Sequence, residues 1–452
     1  MDLIYLDPPF NSKTDYNVLY AANGAGDAQY RAFSDTWTWD SDAADRLDRY
    51  GSAIGRRAHD AIMGLYRMFG PSGMLAYLTY MAERLEECHR LLKPTGSIYL
   101  HCDPTASHGL KLVMDGIFGV KNFRNEVHWY YYNKMHDRRK KLFAAASDTL
   151  LFYVKDIASR FTFHQLTEPR EKPVRQLLRK KVGGKMVNAR DEAGKLMYQT
   201  KTTRTIDNVW RIPCIVPAAK ERLGYPTQKP LRLLERVIQA SSDPDDLVLD
   251  PFCGCGTAID AANRLGRRWA GIDISSFAID LIRGKRLKDR TIPVKGIPYD
   301  LASAIKLARE QPFNFESWAV TRLPGFAPNT KQVADGGVDG RATLAHKPDN
   351  HPSRLALAQV KGGKFSLSAL RDFIHVTDRD RAALGYFVTL EAVRSRAAKE
   401  AVANTGRVSV SGYPYRRMQL WPISDYFDER LPAMPIMADP YSGKPLEQGS
   451  LF

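Results

Sequence analysis

Short apolar runs that stop abruptly at polar or turn residues recur through the first 290 positions: Leu3–Leu6, Ser97–Leu100, Thr149–Tyr153, Leu247–Asp250 and Trp269–Ile272. Runs of four to five residues that are apolar on both faces read as strands buried inside a parallel sheet. Between them lie amphipathic stretches with helical spacing. Tyr77–Leu92 is apolar at Leu78, Met81, Leu85 and Leu91–Leu92, and Leu231–Ala240 behaves likewise. The alternation predicts a doubly wound α/β sheet. Phe163–Val216 interrupts it: polar, basic, broken by Gly183-Gly184 and without a sustained period. This stretch reads as an inserted recognition region, bounded at 160–222, rather than scaffold. After Asp289 the texture changes again, with Pro and Gly punctuating Thr291–Pro298 and a new α/β pattern starting near Phe313. The predicted organisation is a first domain over 1–292, a linker over 293–310 and a smaller α/β domain over 311–452.

Composition narrows the class. A chain of 452 residues that is 44% hydrophobic has the length for two or three domains and excludes disorder. Its five cysteines (88, 102, 214, 253, 255) form no CxxC pair and have no His nearby at zinc spacing, which argues against a zinc site. No uninterrupted apolar stretch reaches the ~18 residues of a membrane span. Met1-Asp2-Leu3-Ile4 lacks the basic start of a signal peptide. The expectation is a soluble, cytosolic protein without a membrane partner. The formal net charge is +16, and residues 131–220 carry +12 of it. Clustered Lys and Arg suit a polyanion, because they release counterions from phosphates, although a solvated basic loop would look the same.

Two constellations carry chemistry in the first 290 residues. Leu3–Leu6 runs directly into Asp7-Pro8-Pro9-Phe10. Two prolines lock a stiff extended turn at the carboxyl end of a strand, where α/β sheets bind ligands. The turn offers a carboxylate, a free Pro8 carbonyl and an aromatic face. A carboxylate and a carbonyl can accept both hydrogens of an exocyclic amine while a ring stacks on a flipped base. An ordinary rigid turn with a surface Asp is the alternative.

The second constellation follows Leu247–Asp250: Pro251-Phe252-Cys253-Gly254-Cys255-Gly256-Thr257, then an Ala-rich helix. Gly254 and Gly256 permit close backbone approach to a ligand, and the helix start adds a positive dipole. The next strand ends in Asp273, placed to bind ribose hydroxyls. The pattern is FxGxG rather than GxGxxG, and no GK[ST] is present. That disfavours dinucleotides and nucleoside triphosphates and favours an adenosyl ligand; a plain tight turn is the alternative.

In combination and order, these motifs resemble the β-group of DNA amino-methyltransferases, which use S-adenosylmethionine. The order is Asp7–Phe10, the basic insert, Tyr225-Pro-Thr-Gln-Lys-Pro230, Asp250–Thr257 and Gly271-Ile-Asp273; Leu91–Asp103 adds further likeness. The resemblance covers about residues 1–290 and implies a Rossmann-like methyltransferase sheet in circularly permuted motif order. It also implies residue roles. Asp7 and Pro8, with Pro9, would hold the target amine, and Phe10 would stack on the base. Asp250, Phe252, Gly254, Gly256 and Thr257 would line the cofactor, Asp273 would bind its ribose, and Thr227, Gln228 and Lys229 would sit near its carboxylate. Asp at the first motif position is more typical of adenine N6 enzymes, where cytosine N4 enzymes more often carry Ser. The family normally has further residues before the DPP strand, so an open sheet edge and weak cofactor binding are expected.

Other features weigh less. His101-Cys102-Asp103 has the composition of a nucleophile set, but in the family it ends a scaffold strand. Trp129-Tyr-Tyr-Tyr132, followed by Lys134, Arg138, Arg139, Lys140 and Lys141, mixes aromatics with charge as DNA-facing surfaces do. An aromatic strand followed by a solvated helix is the alternative.

Near the C-terminus, a helix start at Phe313–Val320 carries Glu316, a Gly-rich turn carries Asp339, and strand Leu355–Lys361 carries Gln359 and Lys361. Asp339 and Gln359 could flank a hard divalent ion such as Mg²⁺. Lys361, on the same strand face as Gln359, could orient water. The pattern resembles the Mrr-like branch of the PD-(D/E)xK restriction-endonuclease fold over about 311–395; a DNA-binding domain on an inactive nuclease fold is the alternative. The combined expectation is a site-specific methyltransferase acting on double-stranded DNA, most consistent with adenine N6, fused to a metal-dependent nuclease. The setting would be restriction–modification in a prokaryotic or phage-infected cytosol, with a homodimer among the expected assemblies. A nuclease whose non-methylating half only recognises DNA, and a non-catalytic DNA-binding protein, remain as alternatives.

Overall fold

The computed structural model describes the chain outside residues 10–14, 20–28, 35–36, 53–56, 135–142, 224, 226, 289–290, 330–336, 441–442 and 447–452. For 15–19, 29–34 and 276–277 it describes the backbone alone.

The first unit is built on a seven-stranded sheet with spatial order Val209–Arg211, Phe123–Tyr130, Ser147–Val154, Ser97–Cys102, Leu3–Leu6, Leu247–Asp250, Arg268–Gly271. Leu3–Leu6 lies at its heart, parallel to Ser97–Cys102 on one side and to Leu247–Asp250 on the other. Alternation along this strand sends successive side chains to opposite faces. Ile4 and Leu6 join the core under helices Gly73–Leu91 and Ser107–Phe118, while Leu3 and Tyr5 join the core under Leu231–Ser241 and Thr257–Arg264. Both faces are covered, which is why the strand reads as an unbroken apolar run.

One expectation about direction is corrected. The run at 149–153 belongs to Ser147–Val154, which is antiparallel to both Ser97–Cys102 and Phe123–Tyr130, so the sheet is mixed rather than wholly parallel. Burial on both faces leaves the same apolar run whichever way a strand points.

The basic insert is a projecting β arm. Thr167–Leu177 pairs antiparallel with Tyr198–Thr205, and Arg179–Val182 pairs with Lys185–Asn188 across Gly183-Gly184. Both glycines have positive φ (56° and 82°), as a two-residue hairpin turn matching strand twist requires. All eight residues of the second hairpin's strands are exposed, so neither face imposed a hydrophobic period.

The second unit has a five-stranded sheet, in order Ala327–Pro328, Gly340–Thr343, Leu355–Lys361, Leu384–Thr389, Met418–Pro422. Its first three strands are antiparallel and its last three parallel. Within the segment read as a linker lies a helix, Leu301–Glu310, started by a reciprocal capping box between Asp300 and Ser303. Its Ala304 and Ala308 are buried in the core of the second unit.

Candidate functional site

The parallel strands of the first sheet end at a common edge, and their last residues face one another. Asp7 stands at the end of the central strand; His101 and Cys102 end one neighbour and Asp250 the other. Because Ser147–Val154 runs the opposite way, its first residues bring Asp148 to the same edge.

Lys229 reaches this edge from the Tyr225–Pro230 loop. Its ammonium donates to both Asp7 oxygens, at 2.7 and 2.6 Å, and lies 3.4 Å from the Thr227 carbonyl. The loop is strained to do this: Thr227, a β-branched residue, has φ of 62°. The family resemblance implies that Thr227, Gln228 and Lys229 sit near a cofactor carboxylate. In the structure, Gln228 accepts from the Leu223 N–H and donates to the Glu221 carbonyl, so it ties down its own loop, while Lys229 is committed to Asp7.

Beneath Asp7 lies a buried polar chain. His101 is fully enclosed; its Nδ1 is 2.8 Å from the Tyr5 hydroxyl and its Nε2 is 3.3 Å from Asp148 Oδ2. Tyr131 donates to Asp148 Oδ1 at 3.1 Å. Burial pushes the Asp148 carboxyl upward, but the hydrogen bonds from His101 and Tyr131 and the nearby Lys229 charge outweigh it, so the carboxyl is held below its ordinary range.

On the other side of Asp7 the cofactor-type turn is braced by its own acids. Asp250 accepts from the Phe252 N–H at 3.1 Å. Burial, with Asp7 and Asp273 nearby, pushes its carboxyl well above the usual range. Asp273 accepts from the Gly254 and Ser275 N–H groups, each at 2.8 Å. Gly254 and Gly256 have φ of 47° and 77°, and a Cβ on Gly256 would lie 2.6 Å from Ile282 Cγ1. These glycines are thus required by conformation and by a close approach.

The two constellations open into one cavity of about 650 Å³. Asp7 and Pro9 reach it from the first turn, and Thr227, Gln228 and Lys229 from the loop. Asp250, Phe252, Gly254, Thr257 and Asp273 reach it from the second turn. Pro8 and Gly256 are buried. Phe10 lies outside the described residues.

Sequence reasoning missed the wall contributed by helix Gly73–Leu91, where Tyr80, Glu83, Arg84 and Glu87 face the cavity and the Arg84 guanidinium stacks 3.6 Å from the Tyr80 ring centre. Their i, i+3/i+4, i+7 spacing, a polar stripe on an otherwise buried helix, was the available signal. Also missed was Arg286, which donates to the Cys255 carbonyl and to Thr257 Oγ1, pinning the second turn.

The aromatic run divides. Trp129 and Tyr131 are core residues, and Tyr132 is exposed. Lys134 is exposed and sits 5.0 Å over the Tyr131 ring; Arg138, Arg139, Lys140 and Lys141 lie outside the described residues. The DNA-facing reading of the aromatics therefore fails for Trp129 and Tyr131, because strand alternation buries them.

In the second unit, Asp339 lies beside strand Leu355–Lys361: its Oδ2 accepts from the Val360 N–H at 2.7 Å, between Gln359 and Lys361. Gln359 Oε1 is buried and, among the described residues, has no hydrogen-bond partner. Glu316 lies on helix Pro312–Thr321, and its neighbour Phe315 packs 3.0 Å from where a Cβ on Gly362 would be, next to Lys361. Among the described residues, no three His, Cys, Asp or Glu side chains group as a metal site.

Comparison with known proteins agrees with both resemblances read from the sequence. Residues 1–284 match a family described as DNA methylase, and residues 307–412 match one described as restriction endonuclease. The chain is 29% identical over 212 residues to the type II methyltransferase M.BglII of Bacillus subtilis, covering 45% of this chain and 55% of that one. It is 31% identical over 208 residues to the DNA adenine methyltransferase YhdJ of Escherichia coli K12, covering 45% and 65%. It thus spans between about half and two thirds of these relatives' length. The solved structure of an M1.HpyAVI–SAM complex aligns at 19% identity and TM-score 0.35, covering 51% of this chain and 96% of that one. With the methylase match extending across well over half of its length, this chain belongs to the N6/N4 DNA methylase family and carries a restriction endonuclease domain in its C-terminal part.

Proposed function

We propose that this chain transfers a methyl group from S-adenosylmethionine to an exocyclic base amine in double-stranded DNA, adenine N6, and that its C-terminal unit cuts DNA with Mg²⁺. The observation that carries the reading is the shared cavity: the Asp7 turn and the Gly254–Asp273 turn, far apart in sequence, open into the same 650 Å³.

The residues present fit an adenosyl cofactor. The volume lies within the ~300–1,000 Å³ of small-ligand sites. Two backbone N–H groups orient Asp273 at the rim, leaving its remaining lone pairs to accept from ribose hydroxyls. Exposed Ile272 and Ile274 flank it with apolar surface. When bound, S-adenosylmethionine supplies an electrophilic methyl group. The chain supplies orientation: Asp7 and the Pro8 carbonyl accept the amine hydrogens and leave its lone pair directed at the methyl, with Pro9 stiffening the turn. Lys229 must yield part of Asp7 to the incoming amine. Phe10 stacks on the base. Adenine is favoured by Asp rather than Ser at position 7, and by the adenine specificity in the name of YhdJ.

The substrate's polyanionic side is met by the exposed arm of 167–205 and by Lys134, Arg138, Arg139, Lys140 and Lys141. In the C-terminal unit, Asp339 and Gln359 are hard oxygen donors suited to Mg²⁺, which takes few protein ligands and keeps several waters. The Gln359 oxygen, buried and without a hydrogen-bond partner among the described residues, is the observation that fits such an ion. Lys361 and Glu316 complete that site. The reading places the chain in a prokaryotic cytosol, as a restriction–modification protein able to act as a homodimer. We divide it at 1–292 and 311–452, the intervening 293–310 carrying helix Leu301–Glu310, which packs on the core of the second unit. Transfer of labelled methyl to DNA, lost in Asp7→Ala, tests the methyltransferase reading; no transfer by the unaltered chain refutes it.

A further inference from the structure

The geometry points to a proton-accepting relay, Tyr5–His101–Asp148, beneath the methyl-transfer site. The inference rests on the amine-methylation reading above. An amine that attacks a methyl group becomes a cationic methylammonium and must shed one proton. Asp7 is an awkward final acceptor, because Lys229 already contacts both of its oxygens.

The neighbouring chain is better disposed. Tyr5 lines the cavity, and its hydroxyl lies 2.8 Å from His101 Nδ1. That same Nδ1 is 3.9 Å from Asp7 Oδ1, so the tyrosine oxygen and the Asp7 carboxylate both lie within 4 Å of one ring nitrogen. His101 Nε2 is 3.3 Å from Asp148 Oδ2. A neutral imidazole donates from one nitrogen only. With the carboxylate able only to accept, the proton sits on Nε2, and Nδ1 accepts from Tyr5. The tyrosine's own hydrogen is therefore committed inward, and its oxygen lone pairs remain for a donor in the cavity.

The step balances as follows. The N–H bond of the methylated amine breaks and an O–H bond forms at Tyr5. At the same time the original Tyr5 O–H bond breaks and an N–H bond forms at His101 Nδ1. The product is a neutral methylamino group and an imidazolium held against Asp148. Tyr131 secures Asp148 from behind at 3.1 Å, and the Trp129 ring packs edge-on to His101 at 5.7 Å between centroids. The charged groups around the imidazolium are Asp7 from the central strand, Asp148 from the antiparallel strand and Lys229 across Asp7. Two anions and two cations then share the buried edge, where the neutral imidazole had left an excess of negative charge. After product leaves, the proton returns to solvent by the reverse path. In this scheme Tyr5 is a catalytic residue, while His101 and Asp148 act through it.

The test uses the full chain, double-stranded DNA and S-adenosylmethionine in single-turnover methyl transfer across pH 5.5–9. The relay needs an unprotonated Nδ1 on His101, so the wild-type rate should fall on the acid side of that range. Tyr5→Phe keeps the ring in the core. It should slow transfer by about 10- to 100-fold, in the range of general acid–base effects, erase that limb and leave DNA and cofactor affinity unchanged. His101→Asn should erase the same limb. Independently of turnover, imidazole ¹⁵N spectra of the free protein should show Nε2 protonated and Nδ1 accepting, with the Nδ1 shift moving in Tyr5→Phe. An active wild type with Tyr5→Phe equal to it in rate and pH profile overturns the relay alone, as does the opposite His101 tautomer. A wild type that transfers no methyl overturns the underlying reading instead.

Discussion

Lys229 and Asp7, 222 positions apart in the chain, meet as a two-pronged ion pair, with the ammonium touching both carboxylate oxygens and only 7% of the lysine exposed. The pair fastens the Tyr225–Pro230 loop to the central strand of the sheet. Breaking a buried pair leaves an uncompensated charge, at a cost of about 3–5 kcal/mol. Asp7 is partly exposed, so roughly 2–3 kcal/mol is expected for Lys229→Met in urea unfolding. The double variant with Asp7→Asn should recover part of this loss. A cycle with no coupling between the two sites would show that the contact contributes nothing to folding.

Asp250 gives stability an unusual pH dependence. Its folded-state carboxyl ionises well above the ordinary range because it is buried, beside Asp7 and Asp273. The unfolded chain therefore releases this proton at lower pH than the folded one. The resulting stability is full below the unfolded value and is lost as pH rises toward the folded one. Asp250→Asn preserves the acceptor for the Phe252 N–H and removes that loss. The variant should gain in melting temperature relative to wild type as pH rises from about 4 to 8; a constant difference across the range would contradict the placement of the acid.

The exposed arm should act through phosphates. Replacing Lys180, Lys181 and Lys185 by Gln removes three charges from exposed hairpin strands. If each contacts the DNA backbone, the slope of log affinity against log salt should shallow by about 2 to 3, measured by fluorescence anisotropy. An unchanged slope would put the DNA elsewhere.

In the C-terminal unit, Lys361→Ala should abolish Mg²⁺-dependent plasmid cutting. Asp339→Asn should do the same, and it also weakens the acceptor of the Val360 N–H. Equal cutting by wild type and Lys361→Ala would sink the nuclease assignment.

How much of this was legible in sequence depends on how each residue is held. Strands Leu247–Asp250 and Leu355–Lys361 have the bounds their apolar runs suggest, because burial on both faces is written into every residue. Asp7, Gly254 and Asp273 were legible because each is set by its own local turn. The direction of Ser147–Val154 was not, since an apolar run carries no polarity. The Asp7–Lys229 contact and the Tyr5–His101–Asp148 chain join residues that only the assembled sheet brings together. The arm's strands lacked a period because both faces meet solvent, and helix Leu301–Glu310 was hidden among Pro and Gly although Asp300 and Ser303 spelled its cap.

The most direct measurement is mass-spectrometric analysis of nucleosides from double-stranded DNA incubated with this chain and isotopically labelled S-adenosylmethionine, beside Asp7→Ala. The account predicts labelled N6-methyladenine from the unaltered chain and none from the variant. Labelled N4-methylcytosine would contradict the adenine assignment, and equal labelling by Asp7→Ala would contradict the site itself.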